Sequence, residues 1–135
     1  TGWLKRFYDP IAYTLLTALF HVFPLPKQSG VRGSFEHIGR LVDRGWSVMI
    51  FPEGQLTKDG RVGLFRSGIG ALARSLGIAV VPAKLAGLYE LRLAGQRRAR
   101  RGEISVAFAE PLRFTAGEEP EAIAAKLREA VNEID

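Results

Sequence analysis

One stretch limits this chain more than any other: Val48-Met49-Ile50-Phe51-Pro52-Glu53-Gly54, an apolar run halted by a proline, a carboxylate and a glycine. Trp46 to Phe51 has no polar alternation, which predicts a short strand covered on both faces. Proline cannot donate to a ladder and glycine lets the backbone turn, so the strand must end at this point. Upstream, Ser34 to Arg44 places Phe35, Ile38, Leu41 and Val42 on one face. That predicts a helix with Ser34 as N-cap and Gly45 as a left-handed C-cap. Downstream, Thr57-Lys58-Asp59-Gly60 predicts a turn. Phe65 to Leu76, with Ile69, Leu72 and Leu76 in register and Gly77 after it, predicts a second helix. Ile78 to Leu85 predicts a second buried strand, with Pro82 near its end. Strand, helix and strand in that order predict a parallel, right-handed crossover.

The flanks complete an α/β plan. Residues 3–22 carry Trp3, Phe7, Ile11 and Leu15 at helical spacing, continued by Leu16, Leu19, Phe20 and Phe23. Pro10 to Pro26 is uncharged but falls short of the ~20 apolar residues of a spanning helix. It reads as a buried helix or one lying in a membrane interface. Pro24 to Gly30 is irregular, and so is the basic stretch from Gly87 to Gly102. Ile104, Val106 and Phe108 share one face of a third strand. Pro120 opens a last helix with the stripe Ile123, Leu127, Val131 and Ile134. The expected architecture is a small, mainly parallel sheet flanked by helices. It forms a single domain: an apolar helix and Pro-rich loop over 1–30, an α/β core over 31–112 and a C-terminal helix over 113–135.

Composition narrows the chemistry. The chain has 135 residues, no cysteine and two histidines, so neither a thiolate nor a metal-ligand cluster can be drawn from it. Its formal charge of +5 suits phosphate-bearing ligands or anionic lipid surfaces. Arg97, Arg98, Arg100 and Arg101 concentrate that charge in one loop, either a lipid-facing cluster or a solvated one. No nucleic-acid-binding motif accompanies it. Gly63 to Gly70 lacks the pattern of a nucleotide-binding loop.

In open α/β sheets, ligands bind beyond the carboxyl ends of strands, where Phe51-Pro52-Glu53-Gly54 falls. Glu53 suits a hydrogen bond to a ligand hydroxyl, or to another side chain it orients. Gly54 suits a close backbone approach. A plain surface turn is the competing reading.

Phe51-Pro52-Glu53-Gly54-Gln55-Leu56-Thr57 resembles the FPEG-Thr-Arg-Ser block of glycerolipid acyltransferases of the lysophosphatidate type. Three other stretches agree in order and spacing: Phe23-Pro24-Leu25-Pro26-Lys27, Phe65-Arg66-Ser67-Gly68 and Val80-Val81-Pro82-Ala83. The resemblance runs from about Phe20 to Leu112. It implies an incomplete acyltransferase-like fold and an acyl group passed from acyl-CoA or acyl carrier protein to a glycerolipid hydroxyl, with no cofactor. It further implies association with a membrane surface, at the cytoplasmic face, and a place in phospholipid biosynthesis. It assigns Phe51, Pro52, Glu53 and Gly54 to acceptor binding and Lys27 to its phosphate; Arg66 stands where the family often has lysine, either taking over phosphate binding or lying solvated in a first helical turn, and Val81 and Pro82 either shape the pocket wall or simply pack.

Two departures qualify that assignment. Gln55 and Leu56 replace the threonine and arginine of the block, removing one phosphate-binding cation. Lys27 stands for an arginine and offers a charge without a bidentate fork. The family's catalytic block, a histidine with an aspartate five positions later, is missing: Pro26 follows His21 at that spacing and Val42 follows His37. Asp43 lies six after His37, on a widely separated part of the helix surface. His37 therefore reads as a helix-surface residue and His21 as a core or interface histidine. No catalytic residue is assigned, and the 135 residues alone are expected to be inactive. The start at Thr1, without methionine, suggests a piece of a longer enzyme. The competing function is a non-catalytic lipid-surface module.

Overall fold

A computed structural model describes residues 31–94 and 102–134. The expectations for the helix over 3–22, the Pro24 to Gly30 segment with Lys27, His21 and the arginine cluster lie outside the described residues. The chain divides into two compact units between Ser47 and Val48.

The first unit contains α1, Val31–Asp43. It starts earlier than the sequence suggests, so Ser34 lies inside the helix and does not cap it. Its end is as expected. Gly45 has φ +80°, its N–H donates to Val42 O at 2.8 Å, and Trp46 N–H donates to Leu41 O at 3.0 Å. That pair of bonds is a Schellman closure, which needs the left-handed conformation glycine adopts without strain. Ile38 is the buried residue of the expected apolar face.

The second unit holds α2 (Ser67–Leu76), β1 (Ala83–Ala86), α3 (Leu88–Ala94), β2 (Ser105–Phe108) and α4 (Pro120–Asn132). Helices α2 and α4 pack together. Their seam is built on size: a Cβ on Gly70 would overlap the backbone carbonyl of Pro120. Ala73, Ile123 and Leu127 are buried at its centre, with Phe65, Ile69, Val80, Leu112 and Phe114 packed around them. The whole predicted α4 stripe, Ile123, Leu127, Val131 and Ile134, is buried. Pro120 occupies the first turn of α4, as its missing N–H allows. Gly77 closes α2 with φ +61° and a bond from its N–H to Ala73 O.

The sheet corrects the parallel expectation. Among the described residues its two strands, β1 and β2, run antiparallel, with Ala83 opposite Phe108 and Leu85 opposite Val106. The reason is local. Gly87, just after β1, lies against the carbonyl of Glu103, just before β2. The intervening excursion, which includes α3, leaves and returns at the same end of the sheet, so the strands must oppose each other. The stretch read as irregular thus contains a helix. Pairing resumes at Val80 and Leu112, whose N–H and C=O groups exchange two bonds of 2.8 Å. The register slips by one residue between the two pairings, which makes Ala109-Glu110-Pro111 a bulge. Pro111 fits there because a bulge leaves a donor unpaired.

The first predicted strand, Trp46 to Phe51, makes no ladder among the described residues. Trp46, Met49 and Phe51 are exposed, against the expectation of cover on both faces. With no paired strand before α2, no parallel crossover forms among the described residues. Ile104, Val106 and Phe108 are exposed too, as is Leu85 opposite Val106. This leaves one face of the sheet apolar and open. The other face meets α4, where Lys84 Nζ donates to Ile134 O.

Candidate functional site

Phe51 to Gly54 forms a tight turn closed by Gly54 N–H donating to Phe51 O at 3.2 Å. Pro52 at the second position presets its own φ for such a turn. Gly54 follows with φ +64°, a conformation costly for any residue with a Cβ. Phe51 is exposed, while Pro52 and Glu53 are half-buried.

Three bonds tie this turn to residues 63–66. The Glu53 carboxylate accepts from Gly63 N–H at 2.8 Å. Arg66 N–H donates to Pro52 O at 3.1 Å, and Arg66 Nε donates to Glu53 O at 3.4 Å. Both glycines lie against these side chains. A Cβ on Gly54 would lie 2.8 Å from Arg66 Nε, and one on Gly63 would lie 2.6 Å from Glu53 Oε2. Arg66 is extended, with ψ 143°, and stands immediately before α2. The first turn of α2 has no acidic residue and no side-chain cap. Its N–H groups and the Arg66 guanidinium therefore share one positive end.

The loop between has its own frame. Thr57 Oγ1 accepts from Gly60 N–H at 3.0 Å and donates to Arg61 O at 3.0 Å. Asp59 Oδ1 accepts from Arg61 N–H at 3.1 Å, and this bond lowers the Asp59 pKa. Tyr89 of α3 donates its hydroxyl to Lys58 O at 2.9 Å, and its ring lies against Gly60. The predicted turn over Thr57–Gly60 is present and anchored.

Five of the eight residues singled out from the sequence come together here: Phe51, Pro52, Glu53, Gly54 and Arg66. Val81 and Pro82 are tied elsewhere: Pro82 is buried and its carbonyl accepts from Ala109 N–H at 3.0 Å, while Val81 is exposed. Lys27 lies outside the described residues. Sequence reading missed Gly63 and Tyr89. Gly63 was visible only as one glycine in a stretch that fits no nucleotide loop, and nothing local marks Tyr89. A groove between Leu112–Phe114 and α4, lined by Glu118, Lys126, Glu129 and Glu133, shares no residue with the turn. Among the described residues no cluster of three or more His, Cys, Asp or Glu gathers for a metal. No helix among them is long and apolar enough to cross a membrane.

The sequence profile of the acyltransferase family matches residues 5–86, a span that contains the turn, its anchoring loop and Arg66. The chain belongs to the acyltransferase family. Over 73 residues it is 37% identical to the chloroplastic 1-acyl-sn-glycerol-3-phosphate acyltransferase BAT2 of Brassica napus, covering 53% of this chain and 21% of that protein. Over 55 residues it is 44% identical to the chloroplastic 1-acyl-sn-glycerol-3-phosphate acyltransferase LPAT1 of Arabidopsis thaliana, covering 41% of this chain and 15% of that protein. The chain thus matches only about a fifth of the length of the first of these relatives and less of the second. No solved structure matches it significantly. Within this acyltransferase sequence, His37 and Asp43 are exposed on α1, in agreement with a helix-surface reading of the histidine.

Proposed function

We propose that these residues form the acceptor-binding part of a glycerolipid acyltransferase. The enzyme moves an acyl group from acyl-CoA or acyl carrier protein to the hydroxyl of a glycerolipid such as lysophosphatidate, in phospholipid biosynthesis. The observation that carries the reading is the Glu53–Gly54 turn bound to Arg66 at the positive start of α2. A phosphate monoester suits that end: guanidinium N–H groups and first-turn backbone N–H groups all donate to oxygen. The acceptor hydroxyl loses its proton to a base, its oxygen attacks the thioester carbonyl, and the thiolate leaves and is protonated. The family's histidine and aspartate for that step are not among these 135 residues, so the chain by itself is inactive. No cofactor enters the scheme.

The reading includes a location on a membrane surface, at its cytoplasmic face. The open apolar sheet face and the net charge of +5 support it, and they equally favour the second reading, a non-catalytic lipid-surface module. Acyl transfer to lysophosphatidate by the full-length natural protein decides between them. Arg66→Gln is expected to raise the acceptor KM about tenfold, the loss of one charge-assisted contact. Lipid binding without any acyl-thioester turnover in the full-length protein leaves the second reading standing and removes the first.

A further inference from the structure

Glu53 is the residue a sequence reader assigns to the acceptor. One oxygen of its carboxylate, Oε2, is already engaged. The carboxylate Oε2 accepts from Gly63 N–H at 2.8 Å, ten residues along the chain, and a Cβ on Gly63 would intrude to 2.6 Å. The carboxylate also forms no ion pair with Arg66, although the backbone carbonyl of Glu53 takes Arg66 Nε. A carbonyl is a dipole and a carboxylate is a charge. Holding the guanidinium by the first orients it without cancelling its charge. Binding the second to a backbone N–H closes the loop from Gly54 to Gly63 and keeps the anion from neutralising Arg66.

We propose that Glu53 is a positioning residue that acts through the loop and Arg66, and that it does not bind the acceptor hydroxyl. The inference rests on the acyltransferase reading, but its test separates the two. An amide side chain keeps an oxygen that accepts from Gly63, whereas alanine keeps none. In the full-length protein, Glu53→Gln is expected to stay within about threefold of the parent KM for lysophosphatidate. Glu53→Ala and Gly63→Ala are expected to raise that KM about tenfold with kcat changed by less than about threefold, and the Gly63 amide in Glu53→Ala to exchange its hydrogen about tenfold faster. For monoacylglycerol, which lacks the phosphate, Glu53→Ala is expected to leave the KM unchanged.

The proposal is overturned if Glu53→Gln loses as much as Glu53→Ala while Gly63 exchange stays at the parent rate, because the charge then meets the substrate directly. It is overturned equally if Glu53→Ala raises the KM for both acceptors alike. A full-length protein with no acyl-thioester turnover defeats the acyltransferase reading instead. Gly63 exchange in Glu53→Ala then decides the latch alone: faster exchange supports it and an unchanged rate refutes it.

Discussion

The α2–α4 seam and the Phe51–Gly54 turn both depend on glycines in close quarters, yet they hold together by different physics. At the seam, Gly70 lets a helix approach the Pro120 carbonyl, and buried Ile123 and Leu127 supply the adhesion. At the turn, Gly54 and Gly63 admit Arg66 and the Glu53 carboxylate, and three directed hydrogen bonds supply the order. The first is nondirectional and dry; the second is polar and half-exposed. The seam therefore fails when volume is added or removed, and the turn fails when a donor or acceptor is lost.

The largest expected effects lie in the seam. Gly70→Val places a side chain against a backbone carbonyl that cannot move aside without shifting α4. It is expected to cost about 3 kcal/mol or more, the upper range of overpacking, read as a lower urea midpoint at constant slope. Ile123, with 0% exposure, is the converse case: Ile123→Ala removes volume and is expected to cost about 3–4 kcal/mol. Midpoints that stay near the parent for both variants would show that the two helices do not share a rigid core.

At the turn the expected effect is smaller and divisible. Gly54→Ala meets a φ of +64° and a contact with Arg66. The dihedral cost is about 1–2 kcal/mol for a residue with a Cβ. Repeating the substitution in an Arg66→Ala background removes the contact and leaves the dihedral. An unchanged cost in that background assigns the effect to backbone conformation; a vanishing cost assigns it to the arginine and makes the turn, like the seam, a matter of steric fit.

The same contrast explains what the sequence could show. The α4 stripe was legible because helical periodicity records burial on one face, and Ile123, Leu127 and Val131 are buried as the spacing requires. Gly45 and Gly77 marked helix ends because left-handed closure is a local requirement. Strand direction was not legible, because it depends on where Gly87 meets Glu103, a contact no local pattern encodes. The run from Trp46 to Phe51, apolar but for Ser47, predicted burial, but such a run reports only that the residues are apolar. Glu53 and Arg66 were visible as residue types, whereas the bond from Gly63 that occupies Glu53 links residues ten apart through a loop.

The open sheet face is a third environment, apolar like the seam but in contact with solvent. Phe108, 65% exposed, has little burial to lose. Phe108→Ser is expected to change stability by less than about 0.5 kcal/mol, as at most surface positions. If the face meets lipid, the same change lowers binding to anionic vesicles several-fold, by about the transfer cost of part of an aromatic ring. Unchanged co-sedimentation with such vesicles would remove the lipid role from this face, and a large loss of stability would show it to be covered by protein.

The smallest effect is expected at the rim of the seam, where an ion pair borders the buried core. Glu118 accepts from Lys126 Nζ at 2.6 Å and from Thr115 N–H at 2.9 Å. The lysine contact first, then the backbone bond, favours the charged carboxylate and holds its pKa below the ordinary value. The unfolded chain has no such partners, so its Glu118 takes up a proton at the ordinary carboxylate pH. The stabilisation is therefore complete above that pH and is lost as the pH falls through the lower, folded value. Many carboxylates titrate in the same window, so the usable quantity is the difference between the parent and Glu118→Gln. That difference is expected to be constant from neutral pH to about pH 5, and to shrink below it. Lys126 is 58% exposed, so added salt is expected to shrink it as well. A difference that stays level down to pH 3 would mean the pair orders the start of α4 through the Thr115 bond alone, and that charge adds nothing at the edge of the seam.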